Sequence, residues 1–413
     1  MKENISVQEA LNEILSKTKP LKTEKVFLNE AVNRVLAEDI FSPFNIPPTD
    51  NSAMDGYAVR FEDTLNASFK KFTELKIVGE APAGKIYNGE LKKGETVKIM
   101  TGGALPRGAN AVIRREDVEE NFNSIKIFKP VKKGQDIRTQ GEDINKGEMI
   151  MEKGMNLTPA RIGLLASVNR SFVKVYRNPV VSVIVTGDEV AEIDEALTEG
   201  KIKNSNGFTL MSLLIEAGCI VRQTEVVKDT KIALKNAIID NSDSDIVLST
   251  GGVSMGDYDF VKDVVKESGY SPVFWKVRVK PGRPLFFAVK NSTLYFGIPG
   301  NPVSVMTTFY HFILPAIRKM QGFTNICLKE FSAILTEDIK RKSNRSEFVR
   351  GILTENNGEF FVSSAGSQGS GILSSMHRGN CFIVFNEGHG LSEKGERVVV
   401  EIFDKEFYFK PLV

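Results

Sequence analysis

One pattern recurs between Arg177 and Met320: a short, continuously apolar run, a glycine-bearing loop, and a longer stretch with helical spacing. The apolar runs are PVVSVIVTGDE, DIVLSTGG and TLYFGIPGNP. The helical stretches are NGFTLMSLLIEAG, closed by Gly218, then YDFVKDVVKES, then VSVMTTFYHFILPAIRKM, which Pro315 disturbs. A strand that is apolar at every position shows neither face to water. Such strands belong in a mostly parallel sheet with helices laid over both faces. The expected fold class is multidomain α/β plus β: a central doubly wound, mostly parallel α/β domain with flanking β-rich domains. Ligands of such sheets bind beyond the carboxyl ends of the strands. The loops TGDE, STGGVSMGD and PGNP all follow strands, so they should share one rim.

The flanks read differently. MKENISVQEALNEIL reads as an amphipathic helix, with a capping box from Ser6 to Glu9 and Val7, Ala10, Leu11, Ile14 and Leu15 on one face. A second short helix fits Asn29 to Leu36. From about Ile46 to Ile150, β-rich runs (ELKIVG, ETVKIM, NAVIRRE, SIKIFKP) alternate with Gly, Pro and Lys-Gly turns. LTPARIGLLAS starts a further helix, with Thr158 as N-cap and Pro159 at its first position. Past about Asn325 short strands return (EFVRGIL, EFFVSS, CFIVF, ERVVVEIF), with an Asn356-Asn357-Gly358 turn between two of them. The expected seams are 1–45 with 145–176 as a discontinuous N-terminal helical and linking region, 46–144 as a small β-rich domain, 177–323 as the α/β domain, and 324–413 as a C-terminal β domain.

Composition removes several function classes. Lys+Arg is 54 against Asp+Glu 52, a net charge of +2, which lacks the basic excess of a nucleic-acid binder. No apolar run approaches the ~20 residues that span a bilayer. The N-terminus has no signal-peptide core, so the expected location is the cytoplasm. Cys219, Cys327 and Cys381 are far apart and match no zinc spacing. His311, His377 and His389 are scattered too, which disfavours a zinc site or a Ser-His-Asp triad.

Chemistry on the rim must therefore use carboxylates, lysines, arginines and backbone amides. Thr186-Gly187 ends one strand, and Asp188-Glu189 follows. Gly251-Gly252 lets backbone N–H groups face a ligand, and the helix behind it adds a weakly positive N-terminus. Together they suit an anion such as phosphate. No GxGxxG fingerprint and no Walker GxxxxGK[ST] occurs. Taken alone, the glycine pair is also an ordinary turn, and Asp257, Asp259 and Asp188-Glu189 are also ordinary helix caps. In FWKVRVKPGRPLFF, Lys276, Arg278 and Lys280 alternate and would share one strand face. Three cations there are natural over an anion, and equally natural on a solvated edge. Arg283 extends the positive cluster, and Asn301 can cap a helix that begins at Pro302. Acids, cations and anion-friendly backbone together suit a phosphorylated substrate held through a divalent metal. The residues by themselves reach phosphate or nucleotide chemistry and stop there.

The chain also carries, in order, DNSAMDGYAVR (Asp50 to Arg60), IMTGGALPRGANAV (Ile99 to Val112), GEDI, TGDE, STGGVSMGDYDF, KPGRP and GIPGNPVSV, then EFVRG and QGSGILSSM with NCFIV. It resembles the MoeA family, the molybdopterin molybdenumtransferases, over essentially its whole length. The resemblance implies an enzyme that takes adenylylated molybdopterin, inserts molybdenum from molybdate at the dithiolene, and releases AMP and molybdenum cofactor with magnesium (Mg2+). It makes 177–323 the molybdopterin-binding domain. It also implies a homodimer with its cleft between subunits, and contact with other molybdenum-cofactor biosynthesis proteins. It carries catalytic roles to Asp55, Asp143, Glu189, Asp259, Lys276 and Lys280. Substrate-binding roles pass to Thr101, Asp229, Arg350 and Ser370. The rim loops themselves add Thr186, Gly187, Gly251, Gly252, Ser254, Arg283, Pro299 and Asn301 as expected substrate-binding residues, and Asp257, Asp259 and Glu189 as expected magnesium ligands.

Read without the resemblance, Asp55-Gly56 is a turn, Asp143 is loop polarity, and Arg350 is a surface residue of a strand. Asn110 and Asn204 stand where the family commonly has aspartate, and they bear on local caps. Two other readings compete. One is a molybdopterin adenylyltransferase, whose domain resembles 177–323 alone. The other is a non-enzymatic scaffold, which needs linkers this chain lacks.

Overall fold

The apolar runs do assemble into one sheet. The computed structural model describes residues 1–223, 226–251, 258–340, 344–388 and 390–408. They fall into two compact units: Met1–Ala37, Gly154–Thr158 and Phe172–Val413 form one, Glu38–Lys153 and Pro159–Ser171 the other.

In the first unit, seven strands form the sheet: β1 Lys2–Ile5, β2 Val180–Val185, β3 Ile220–Gln223, β4 Ile246–Thr250, β5 Ser271–Val277, β6 Phe286–Lys290 and β7 Thr293–Ile298. Their order is β1-β5-β6-β7-β4-β2-β3. The pairs β7–β4, β4–β2, β2–β3 and β1–β5 are parallel, and β6 runs antiparallel to both its neighbours. The helices are α1 Val7–Lys17, α2 Ser205–Glu216, α3 Lys231–Asp240, α4 Tyr258–Glu267, α5 Pro302–Thr308 and α6 Leu314–Met320. Alternate strand residues bury on opposite faces. Val181, Val183 and Val185 join Leu210, Leu213 and Leu214 of α2, whereas Ile184 joins Leu234 and Ile238 of α3 and Val261, Val264 and Val265 of α4. A one-residue slip would exchange the two sets, so burial sets the register. Each such side chain contributes about 1.5–3 kcal/mol.

The chain leaves β2 through α2 to β3 on one side, then returns through α3 to β4 on the other side. Right-handed crossovers in opposite directions put α2 and α3 on opposite faces. The reversal opens a crevice at the carboxyl ends of β2 and β4. The amino ends of the same strands are latched. Asp245 accepts two hydrogen bonds from the Arg177 guanidinium, at 2.6 and 2.7 Å, and one from the Val180 N–H at 2.8 Å.

The C-terminal part of this unit is a closed ring. Ser346–Asn356 pairs with Glu359–Ser364, then in turn come Glu330–Leu335, Arg397–Ile402 and Cys381–Phe385, which returns to Ser346–Asn356. Closure removes the sheet edges. The Asn356-Asn357-Gly358 turn is present, with Asn357 at φ 51° and Gly358 at φ 82°. The second unit is built on a six-stranded sheet ordered Ala111–Arg114, Gly56–Val59, Glu95–Ile99, Thr73–Ala81, Ser124–Ile127, Val118–Glu120. A helix there begins at Pro159.

Three local expectations change. The first residues of the chain are an edge strand, and the helix starts only after Ser6, whose capping box is intact. Asn29 to Leu36 is no helix: a single 3-10 turn, Leu28–Glu30, is followed by Asn33 in the left-handed region at φ 62°. The long stretch after Pro302 is broken by a π-helical turn, Phe309–Ile313. Pro315 has no N–H to give to the preceding turn, which widens to accommodate it.

Candidate functional site

The described parts of the three rim loops, Thr186 and Glu189, Thr250 and Gly251, and Gly300 and Pro302, come together. A hollow of about 70 Å³ lies at the carboxyl ends of β2 and β4, lined by Thr186, Glu189, Asn206, Thr250, Gly251 and Gly300 among others. Backbone approach is close. Gly251 sits at φ 97°, and a Cβ there would lie 2.3 Å from the Thr186 carbonyl oxygen. Gly187 sits at φ 144°, and its Cβ would lie 2.9 Å from each Glu189 carboxylate oxygen. Two buried polar atoms, Thr250 Oγ1 and Asn206 Oδ1, have no hydrogen-bond partner among the described residues. Unsatisfied buried groups are uncommon, and here they border a crevice where a ligand is expected. A larger cavity of about 310 Å³ touches Tyr310, Phe403 and Tyr408 and none of the predicted residues. The smaller hollow is the better candidate, because the strand ends, glycines and orphaned polar atoms converge there.

Asn206 was not singled out from sequence. Its signal was its place: two residues after Asn204, whose Oδ1 accepts from the Gly207 N–H at 3.0 Å and caps α2. The Asn206 amide donates to the Gly300 carbonyl at 2.6 Å, tying α2 to the PGNP loop. Asp229 is brought to the TGDE loop, its N–H donating to Asp188 Oδ1 at 3.3 Å. Pro299 is buried, and Asn301 and Arg283 are exposed. Asn301 makes no side-chain cap bond. The Val303 N–H donates instead to the Ser370 carbonyl at 3.1 Å. Gly252, Ser254 and Asp257 lie outside the described residues, and so does the side chain of Asp259, which falls within α4.

The three cations do not share one strand. Lys276 adopts φ 62°, and its ammonium stands over the Trp275 ring, 3.4 Å from the centroid. β5 ends at Val277, and Val279–Lys280 pairs with Ser346–Asn356 of the ring. Arg278 binds Glu387 at 2.9 Å. Lys280 lies opposite Glu347, Nζ to carboxylate 3.3 Å. The run crosses from one sheet to another, and each cation has its own partner. Arg350 is 1% exposed, not a surface residue, and its guanidinium faces backbone carbonyls.

In the second unit, Asp55 and Thr101 are joined. Asp55 Oδ1 accepts from both the N–H and the hydroxyl of Thr101, each at 2.7 Å. The N–H first and the hydroxyl second hold the Asp55 carboxyl below its ordinary value. A folded pKa below the unfolded one stabilises fully above the unfolded value, and that stabilisation fades as pH falls through the folded value. Thr101→Val keeps the N–H and removes the hydroxyl. Its Asp55 is expected to titrate at higher pH than in the wild type, as followed by carboxylate NMR; identical curves would show that the hydroxyl bond does not form. Asp143 hangs from a separate pairing, its N–H donating to the Ile46 carbonyl. Asn110 accepts from the Phe61 N–H at 2.7 Å and gives its amide to both Glu62 oxygens at 3.1 Å. An aspartate could not make that second contact.

Among the described residues no three His, Cys, Asp or Glu side chains converge as a metal cage. One described carboxylate, Glu189, borders the hollow. No helix among the described residues is long and apolar enough to cross a membrane.

Family models match three stretches: the MoeA N-terminal region (domain I and II) at residues 5–169, a probable molybdopterin binding domain at 182–319, and the MoeA C-terminal region (domain IV) at 332–403. The chain is 40% identical over 389 residues to the molybdopterin molybdenumtransferase of Haemophilus influenzae, covering 93% of this chain and 95% of that one. It is 31% identical over 406 residues to that of Staphylococcus aureus strain Mu50, covering 97% and 96%. Among solved structures, the molybdopterin biosynthesis moeA protein of Pyrococcus horikoshii OT3 superposes with TM-score 0.82 at 35% identity, covering 97% of this chain and 100% of that one.

Proposed function

The chain belongs to the MoeA family, and from that premise we propose its reaction in full: it inserts molybdenum from molybdate into adenylylated molybdopterin, releasing AMP and molybdenum cofactor. The observation that carries the site is the hollow at the β2/β4 reversal, with close backbone at Gly187 and Gly251 and unpartnered Thr250 and Asn206 atoms. A phosphate of the substrate sits there against Thr186, Thr250, Gly251 and Gly300, and Gly187, Gly252, Ser254, Pro299 and Asn301 keep their substrate-binding roles in this reading. Lys276, Lys280 and Arg283 take oxyanions, whether molybdate or the bridge to AMP. Asp229 and Ser370 take substrate-binding roles, and Asp55, Thr101 and Asp143 keep the roles that the family motifs carry to them. Magnesium would be held by Glu189, Asp257 and Asp259, and when bound it would neutralise phosphate charge. The domain seams at 45/46, 144/145, 176/177 and 323/324 remain part of this reading, as do a cytoplasmic location and contact with other proteins of cofactor biosynthesis.

The test supplies purified chain with adenylylated molybdopterin, molybdate and magnesium. The expected result is AMP and cofactor that activates a molybdenum apoenzyme. No AMP from that mixture would overturn the reading, and formation of adenylylated pterin from ATP would replace it with the adenylyltransferase. We propose a homodimer in which each cleft draws on both subunits. Mixing Asp55→Ala and Lys280→Ala subunits is then expected to restore up to a quarter of the activity per site by random pairing, roughly, if the residues serve one cleft from different chains. A mixed dimer without activity would sink that arrangement.

A further inference from the structure

A clamp lies behind the rim. Arg350 is among the largest fully buried side chains, and no carboxylate pairs with it among the described residues. Its Nε donates to Ser375 Oγ at 3.1 Å, and a terminal nitrogen donates to the Gly369 carbonyl at 3.1 Å and more weakly to that of Ser367 at 3.4 Å. Burial lowers its pKa to about 10. A buried cation needs hydrogen-bond partners, and the 367–369 carbonyls supply them. Gln368 completes the contact by imitating a backbone strand. Its Oε1 accepts from the Arg350 N–H at 2.9 Å, and its Nε2 donates to the Arg350 carbonyl at 3.1 Å and the Gly366 carbonyl at 2.9 Å. Two residues on, the Ser370 carbonyl accepts from the Val303 N–H at 3.1 Å. The first residue of α5 is Pro302, which has no N–H, and Asn301 supplies no side-chain cap. A turn of the C-terminal ring therefore closes the start of α5.

We propose that Gln368 is a positioning residue: paired with the Arg350 backbone, it clamps the 366–370 turn so that Ser370 is held at the PGNP end of the rim. The inference rests on the reading above, in which Ser370 meets the pterin substrate, and it gives Gln368 a role that no motif assigns.

Two variants test it. Gln368→Ala removes the clamp's amide, and Gln368→Glu keeps its size while turning an acceptor toward two carbonyls. Both are expected to speed hydrogen exchange of the peptide holding Val303 by about tenfold, the loss of one or two hydrogen bonds. Tm should stay near that of the wild type. KM for adenylylated molybdopterin should rise by roughly the same factor with kcat nearly unchanged. Unchanged protection at Val303, or faster exchange spread evenly over the ring with a fallen Tm, would overturn the clamp. A wild-type chain that turns over no pterin would sink the substrate reading instead, and the exchange arm decides the clamp independently.

Discussion

Gly251→Ala is expected to lose several kcal/mol of stability and most activity at once. The new Cβ would stand 2.3 Å from the Thr186 carbonyl oxygen and 2.8 Å from its hydroxyl, with the backbone held at φ 97°. The left-handed conformation costs about 1–3 kcal/mol for a residue with a side chain. The overlap costs about as much again, because a backbone carbonyl, unlike the end of a flexible side chain, cannot step aside. Against a total stability of about 5–15 kcal/mol, that shifts the denaturation midpoint visibly. Thr186 and Gly251 both line the hollow, so any relief moves its walls. Gly163→Ala is the control: it lies within helix Pro159–Ser167, with nothing within 4 Å of its built Cβ. It should stabilise by about 0.5–1 kcal/mol. If both variants melt alike and Gly251→Ala turns over substrate normally, the close approach of β2 and β4 at the rim is wrong.

Lys280→Ala is expected to weaken oxyanion binding by roughly 10–100-fold, the loss of one charge-assisted hydrogen bond. It should also lower stability, which a lysine on a solvated strand would not. Glu347 is 3% exposed, and its carboxylate lies 3.3 Å from the Lys280 ammonium. Removing the ammonium leaves a buried acid uncompensated. The penalty is roughly 1–3 kcal/mol, below that of a fully buried pair because the lysine side chain is partly in water. Lys280→Ala with Glu347→Gln separates the two effects. The neutral amide should recover stability and leave binding weak. Calorimetric titration with molybdate and with adenylylated pterin reads the binding, and thermal melting reads the rest. Tight binding by Lys280→Ala would place the oxyanion site elsewhere on the rim. Recovery of binding in the double variant would reduce Lys280 to a counter-ion of Glu347.

Much of this was legible in the chain. Continuous apolar runs such as Val180–Val185 and Ile246–Thr250 can be satisfied only between two covered faces, so they announced the sheet. Glycines directly after those runs marked where backbone segments approach one another at the rim, and Ser6 with Glu9 marked a helix start to the residue. The candidate residues were harder. Asp55 was found by motif alone, because an Asp-Gly pair looks the same in a turn and at the head of a strand. Gly56 begins a strand so close to its neighbour that a Cβ would lie 1.9 Å from the Ile113 carbonyl.

Local sequence determined the periods, caps and turns, because those depend on residues a few positions apart. The tertiary structure alone decided the partners. Lys276, Arg278 and Lys280 alternate as if on one strand, yet the run passes from one sheet to another, and pairing with Ser346 and Glu347 sets where Lys280 points. Arg350 reads as a surface cation and is buried, since carbonyls of residues 367 and 369 can solvate it in place of water. Ser370 closes a helix 67 positions earlier in the chain, 370 minus 303, and no local pattern encodes that meeting. A buried charge or a free N–H specifies only that some acceptor must come, and which one comes is settled by how the distant segments pack.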